Sequence, residues 1–197
     1  MESAKVYTKS QIEKLGNALI YLCEQIKPIT KTHLLKLVFI IEEISVARTG
    51  IPFFDLRFDV WKLGPVSKDL FVELSDEPNL LSDFITKEYK ADAFYIVPKK
   101  EFSDDEFSDN DMALIDEVCQ RFRYCTAKEL VNFTHRKNTP WYNAAVKNGI
   151  LDELESGKLN TTDIEINLGE LVENDTGKLS LFNQHKDFLR QTQLLKR

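Results

Sequence analysis

Cysteine, proline and glycine are all scarce in this sequence, with three Cys, six Pro and seven Gly in 197 residues. Such low glycine and proline content excludes a collagenous, low-complexity or turn-dense sandwich architecture. Cys23, Cys119 and Cys125 form no Cys-x-x-Cys pair, and an odd number of cysteines does not make a disulfide framework. Cys23 and Cys119 fall on apolar helical faces, where a reduced thiol acts as a small hydrophobe, so a reducing cytoplasm is the expected compartment. Long hydrophobic runs are missing as well: the most apolar stretch, 34–41, contains Lys36 and is far too short to span a bilayer. The start, Met1-Glu2-Ser3-Ala4-Lys5, is polar, and no secretory leader is expected. Basic residues are outnumbered, 26 against 32 acidic, for a net charge of −6. That balance opposes the basic face with which nucleic-acid binders displace counterions from phosphates. Neither nucleic acid nor a membrane is therefore an expected partner.

Signatures of catalysis are also missing. No glycine-rich phosphate loop, Gly-x-Ser-x-Gly elbow or His-Glu-x-x-His helix occurs. His33, His135 and His185 are isolated, and none has a second histidine at helical spacing. His135 is the one to weigh, because it closes a helix just before a Pro-Trp turn. An imidazole there suits a metal, a general base or a backbone hydrogen bond. A metal site needs three or four ligands, and no cysteine or second histidine stands nearby, which favours the structural role. Glu42 and Glu43 are adjacent and diverge around their helix. The acidic stretch 99–111 lacks the Asp-x-Asp-x-Asp-Gly order of a calcium loop and reads as a linker ending in a Ser108 helix cap. No metal or cofactor is expected.

What is present is core material: 43% hydrophobic residues, including thirteen Phe, enough for one ordered domain. The fold class expected is mainly α, a compact helical domain with a small antiparallel β-hairpin. Ser10-Gln11-Ile12-Glu13 reads as a capping box opening a helix over 10–26, whose apolar stripe runs from Ile12 to Ile26. The next helix, 31–48, is apolar around most of its circumference and is therefore central; Lys36 and Glu43 mark its narrow polar stripe. Leu56–Trp61 alternates like a half-buried strand, Gly64-Pro65 breaks it, and helical spacing resumes over 66–75. Residues 84–89 and 93–98 are rich in aromatic and β-branched side chains and predict a hairpin, with the 56–61 strand as a candidate third member. Helices follow at 109–123, after a Thr126–Glu129 capping box, and from Pro140. A domain over 1–148 is expected, with 149–197 as a turn-rich, partly ordered appendage closed by a terminal helix. The pair of helices within 109–134 also allows a helix-turn-helix reading, although Lys128, Glu129, Asn132 and His135 make a poorly basic polar face.

Three segments, taken in order, resemble a known family. They are Lys36-Leu37-Val38-Phe39 on the central helix, Trp61-Lys62-Leu63-Gly64-Pro65-Val66 after the strand, and His135 followed by Pro140-Trp141. This ordered set, with Thr-Gly and Pro-Phe-Phe-Asp between the first two, is similar to the Panacea domain family, SocA-like proteins of bacteria and their phages. The likeness covers residues 10–147. Phe39 and Leu63 stand where the family pattern carries tyrosine, so each lacks a hydroxyl. The resemblance implies a non-enzymatic antitoxin that neutralises a cognate toxin protein by contact. In one branch it implies an adaptor delivering the toxin to a protease such as a Clp-type complex. It also implies that Lys36, Phe39, Trp61, Lys62, Gly64, Pro65, Val66, His135, Pro140 and Trp141 are motif or partner-binding residues. A DNA-binding autoregulator of a toxin–antitoxin operon is the alternative, and an enzyme built on His135 the third reading.

Overall fold

The helix that is apolar on nearly every side sets the architecture. In the computed structural model, which describes residues 7–75, 77–90 and 93–195, helix α2 (Lys31–Thr49) is central. Leu34, Leu37, Val38, Phe39, Ile40 and Ile41 are all fully buried along it. Gly50 ends it in the left-handed region at φ +77°, and a Cβ there would strike the Lys178 carbonyl, so a glycine is required twice over. Helix α1 (Lys9–Gln25) adds Ala18, Leu19, Ile20 and Leu22 to the same core. Its capping box is Thr8–Gln11, correcting the Ser10–Glu13 box. The same three-residue spacing occurs one half-turn earlier, and the Ser10 hydroxyl instead donates to Glu106 at 2.5 Å.

The stretch around Gly64-Pro65 differs from its sequence reading. Strands β1 (Asp59–Trp61) and β2 (Gly64–Val66) form a tight antiparallel hairpin, in which Trp61 pairs with Gly64 and Val60 with Pro65. The chain turns at Lys62-Leu63, so Gly64-Pro65 lies inside a strand and does not break one. Helix α3 (Lys68–Ser75) accordingly starts at Lys68, two residues later than the spacing of 66–75 suggests. The second hairpin, β3 (Ile85–Lys90) and β4 (Ala93–Pro98), falls where expected. It does not share a sheet with β1, because the Ile96 amide donates to the Ile29 carbonyl and draws β4 to the loop between α1 and α2. The polar start 1–5, Asp76 and residues 91 and 92 lie outside the described residues.

Helices α4 (Asp109–Phe122), α5 (Ala127–Thr134) and α6 (Pro140–Lys147) begin at Ser108, Thr126 and Thr139 caps, each hydroxyl satisfying an otherwise free amide. The acidic linker before α4 is tied to α1: the Ser103 amide donates to Asn17, and Asp111 pairs with Lys14 at 3.4 Å. Helix α7 (Leu151–Glu155), a 3-10 turn (Leu168–Val172) and α8 (Thr176–Leu195) complete the chain. Ile166, Val172 and Phe182 from this region are buried in the common core. The fold is mainly α with two small antiparallel sheets. Among the described residues no helix is long and apolar enough to cross a membrane.

Candidate functional site: a buried lysine and histidine behind the hairpin

Lys36 is the most unusual side chain in the core, 1% exposed on the face of α2 that meets β2. Its ammonium donates to the Pro65 carbonyl at 2.7 Å. Burial pulls its pKa down to about 7, because the charged form loses water and gains one carbonyl in return. Gly64 makes that approach possible. At φ +94° it adopts a backbone conformation open mainly to glycine, and a Cβ there would sit 2.6 Å from the Thr134 hydroxyl, 3.1 Å from Lys36 Nζ and 3.3 Å from His135 Nε2. The glycine is thus the floor on which three polar side chains converge.

His135 reaches this floor as the C-cap of α5, its amide bonded to the Val131 carbonyl. The imidazole lies flat on Trp141, ring centres 3.8 Å apart and planes 1° apart. Its Nε2 is closed off from solvent and has no hydrogen-bond partner. Burial, with the nearby Lys36 charge adding to it, pushes the histidine pKa down to about 4, so the ring is neutral at pH 7. Trp141 is placed by Pro140 at the first turn of α6, and its indole N–H donates to the Trp61 carbonyl at 2.9 Å. Motif residues from α2, the first hairpin, α5 and α6 therefore close on one another through Lys36–Pro65, His135–Trp141 and Trp141–Trp61.

The remaining motif residues stand around this cluster. Phe39 is buried edge-on against Phe58, with ring centres 5.1 Å apart, and Val66 is buried in the same core. Trp61 is half-buried against Phe71, and its indole N–H donates to the Thr162 carbonyl. Lys62 turns away toward Gly157, and its amide donates to the Asn160 carbonyl. Lys36, Phe39, Gly64, Pro65, Val66, Pro140 and Trp141 are thus interior residues, while Trp61, Lys62 and His135 are partly exposed.

Sequence reasoning missed the environments of Thr134, Glu42 and Glu43. Thr134 is 1% exposed, and its hydroxyl donates to the Val131 carbonyl at 2.9 Å, so it has no proton to share with His135. Glu42 is buried and accepts the amides of Phe53 and Phe54 at 2.8 and 2.7 Å. Burial outweighs those bonds and raises its pKa to about 7. Glu43 is raised to about 7 by burial too, against the pull of Arg136. Nothing at position 42 marks that glutamate as buried, and Glu43 beside it is half-buried. Chemically the cluster holds a neutral imidazole and an amine bonded to a carbonyl, with no activated hydroxyl or thiol beside them. Among the described residues no group of three His, Cys, Asp or Glu side chains is placed to hold a metal.

Fold and site together define a mainly helical protein whose marker residues lock a β-hairpin onto a central helix. The chain belongs to the antitoxin SocA-like, Panacea domain family, whose model matches residues 34–142, more than half of its length. That span contains every motif residue from Lys36 to Trp141. Neither the curated proteins nor the solved structures include a significant match.

Proposed function

We propose that this chain is an antitoxin that neutralises a cognate toxin protein by direct, non-enzymatic binding. The observation that carries the reading is membership of the antitoxin family over residues 34–142. The geometry supports it: a neutral imidazole flat on an indole and an amine bonded to a carbonyl form a packing lock rather than a nucleophile–base pair. An interior lock leaves recognition to the surface it positions. Around the hairpin that surface includes Leu63, 58% exposed at the turn, beside the half-buried Trp61. An exposed apolar tip held on a rigid frame suits protein contact. Delivery of the toxin to a protease of the Clp type is a further step of the same reading.

Co-expression with the product of the neighbouring open reading frame tests it. Growth rescue together with a complex that co-purifies is the expected result. Persistent growth arrest in the presence of folded, abundant chain sinks the proposal. A protease-adaptor role additionally predicts that rescue and toxin turnover fail together when the protease is deleted.

A further inference from the structure

The outer edge of β1 is covered by the chain itself, in an imperfect way that can be read bond by bond. Segment 160–166 runs antiparallel to β1 with Asp59 opposite Glu165. The ladder is regular around that pair, where the Ile166 amide donates to the Phe58 carbonyl at 2.8 Å on one side and the Val60 amide to the Ile164 carbonyl at 2.9 Å on the other. A regular antiparallel ladder next returns the Ile164 amide to the Val60 carbonyl and brings residue 162 opposite Lys62. Neither bond forms. The Thr162 hydroxyl is inserted instead, donating to the Val60 carbonyl at 2.7 Å while accepting the Ile164 amide at 3.1 Å. The Lys62 amide reaches past position 162 to the Asn160 carbonyl at 2.8 Å, and the Thr162 carbonyl is turned to the Trp61 indole. The covering strand is bulged at its centre.

Little apolar burial holds the bulged half in place. Asn160, Thr161 and Asp163 are exposed, Thr162 and Ile164 are half-buried, and only Ile166 among these is core. Asp163 contacts Lys68, and its carbonyl accepts from Arg57, both partly exposed cations beside Asp59. Releasing residues 160–164 therefore uncovers little hydrophobic surface and returns exposed charges to water, the signature of a segment that opens below the global stability. The edge left behind offers the Val60 carbonyl, the Lys62 amide and the Trp61 indole, rimmed by Arg57 and Lys68.

We infer that this edge is an acceptor for an extended segment of the partner protein, which replaces residues 160–164 as the neighbour of β1. The occupant that fits is an unbulged strand with a β-branched residue in the Ile164 slot and an acidic residue facing Arg57 and Lys68. Such a strand bonds the Val60 carbonyl directly, gaining the one backbone bond that the resident routes through a hydroxyl, and meets the Lys62 amide from the residue opposite it where the resident must reach past. The inference rests on the reading of this chain as a protein-binding antitoxin.

The test uses the full-length chain and a fluorescein-labelled peptide of residues 158–168 carrying Thr162→Val, which cannot form the hydroxyl bridge. The peptide is titrated against wild-type chain and against the Thr162→Val/Asp163→Ala double variant, whose own segment is loosened. Binding to the variant about tenfold tighter than to wild type is expected, as befits loss of one or two resident bonds. The Val60 and Lys62 amide resonances shift in the complex. Equal binding to both chains, shifts confined to other residues, or no binding at about millimolar peptide overturns the inference. Hydrogen exchange on the unmodified chain supplies a second arm that needs no variant. The Val60 and Lys62 amides should exchange about a hundredfold faster than the core amides of α2, and equal protection counts against exchangeability. Toxin rescue is scored separately. Rescue without peptide binding removes the edge and keeps the antitoxin; peptide binding without rescue does the reverse.

Discussion

Gly64 shows how much a single residue can carry at this site. It combines a positive φ of 94° with a Cβ position 2.6 Å from the Thr134 hydroxyl, so Gly64→Ala meets backbone strain and a steric clash at once. The far side of the clash is a buried threonine already bonded to Val131, which cannot swing aside without leaving its hydroxyl unsatisfied. A loss of about 2–3 kcal/mol in urea unfolding is expected. An alanine variant of wild-type stability would show that neither the strain nor the clash is real. The need for glycine was readable in the sequence as a Gly-Pro corner. Its reason was not, because Thr134 and His135 come from a helix some seventy residues away.

At the scale of elements, Glu42 is the hinge between α2 and the hairpin that follows. Its carboxylate accepts the amides of Phe53 and Phe54 and so fixes where the chain re-enters the core after Gly50. Glu42→Ala leaves both buried donors without an acceptor, at an expected cost of about 2–4 kcal/mol in chemical denaturation, with Glu42→Gln recovering much of it. Equal losses in the two variants would mean that the side chain's volume matters and its oxygens do not. Helix α2 was legible from its all-round apolar run, α4 and α5 from apolar spacing and hydroxyl caps, and α6 from Pro140 at its first turn, each signal written within its own segment. The β1–β2 hairpin was misread for a physical reason. A two-residue turn at Lys62-Leu63 leaves no turn-type signature, whereas Gly64-Pro65 imitates one from inside β2.

For the whole molecule, the ionisation of Lys36 couples the core to pH. Its folded pKa of about 7 lies below the ordinary lysine value of 10.5, so the unfolded chain binds more protons between the two. The Lys36 contribution to stability therefore rises with pH across that interval. Between pH 7 and the ordinary thiol value of 9.0, the buried cysteines do not yet oppose the rise. Glu42 and Glu43, raised to about 7, oppose the rise near pH 7 and are largely ionised above about pH 8. Wild-type unfolding free energy should therefore increase between about pH 8 and 9, and Lys36→Met should flatten the increase. An unchanged slope in the variant would assign the effect to other groups. The same coupling explains why a lysine is tolerated in a helix otherwise apolar all round: in the folded state its proton is lightly held.

Local chemistry within the sequence determined the helices, their caps, the central position of α2 and the ordered motifs that mark the family, since each depends on neighbours a few residues apart. Tertiary structure alone decided that most of those motif residues face inward, that His135 lies neutral on Trp141, and that segment 160–166 covers the edge of β1. These depend on which distant segments meet, and therefore on desolvation and backbone pairing between parts of the chain about a hundred residues apart. Read along the chain, Lys36, Gly64 and His135 are separate markers of one family pattern; packed against one another, they hold the first hairpin to the central helix.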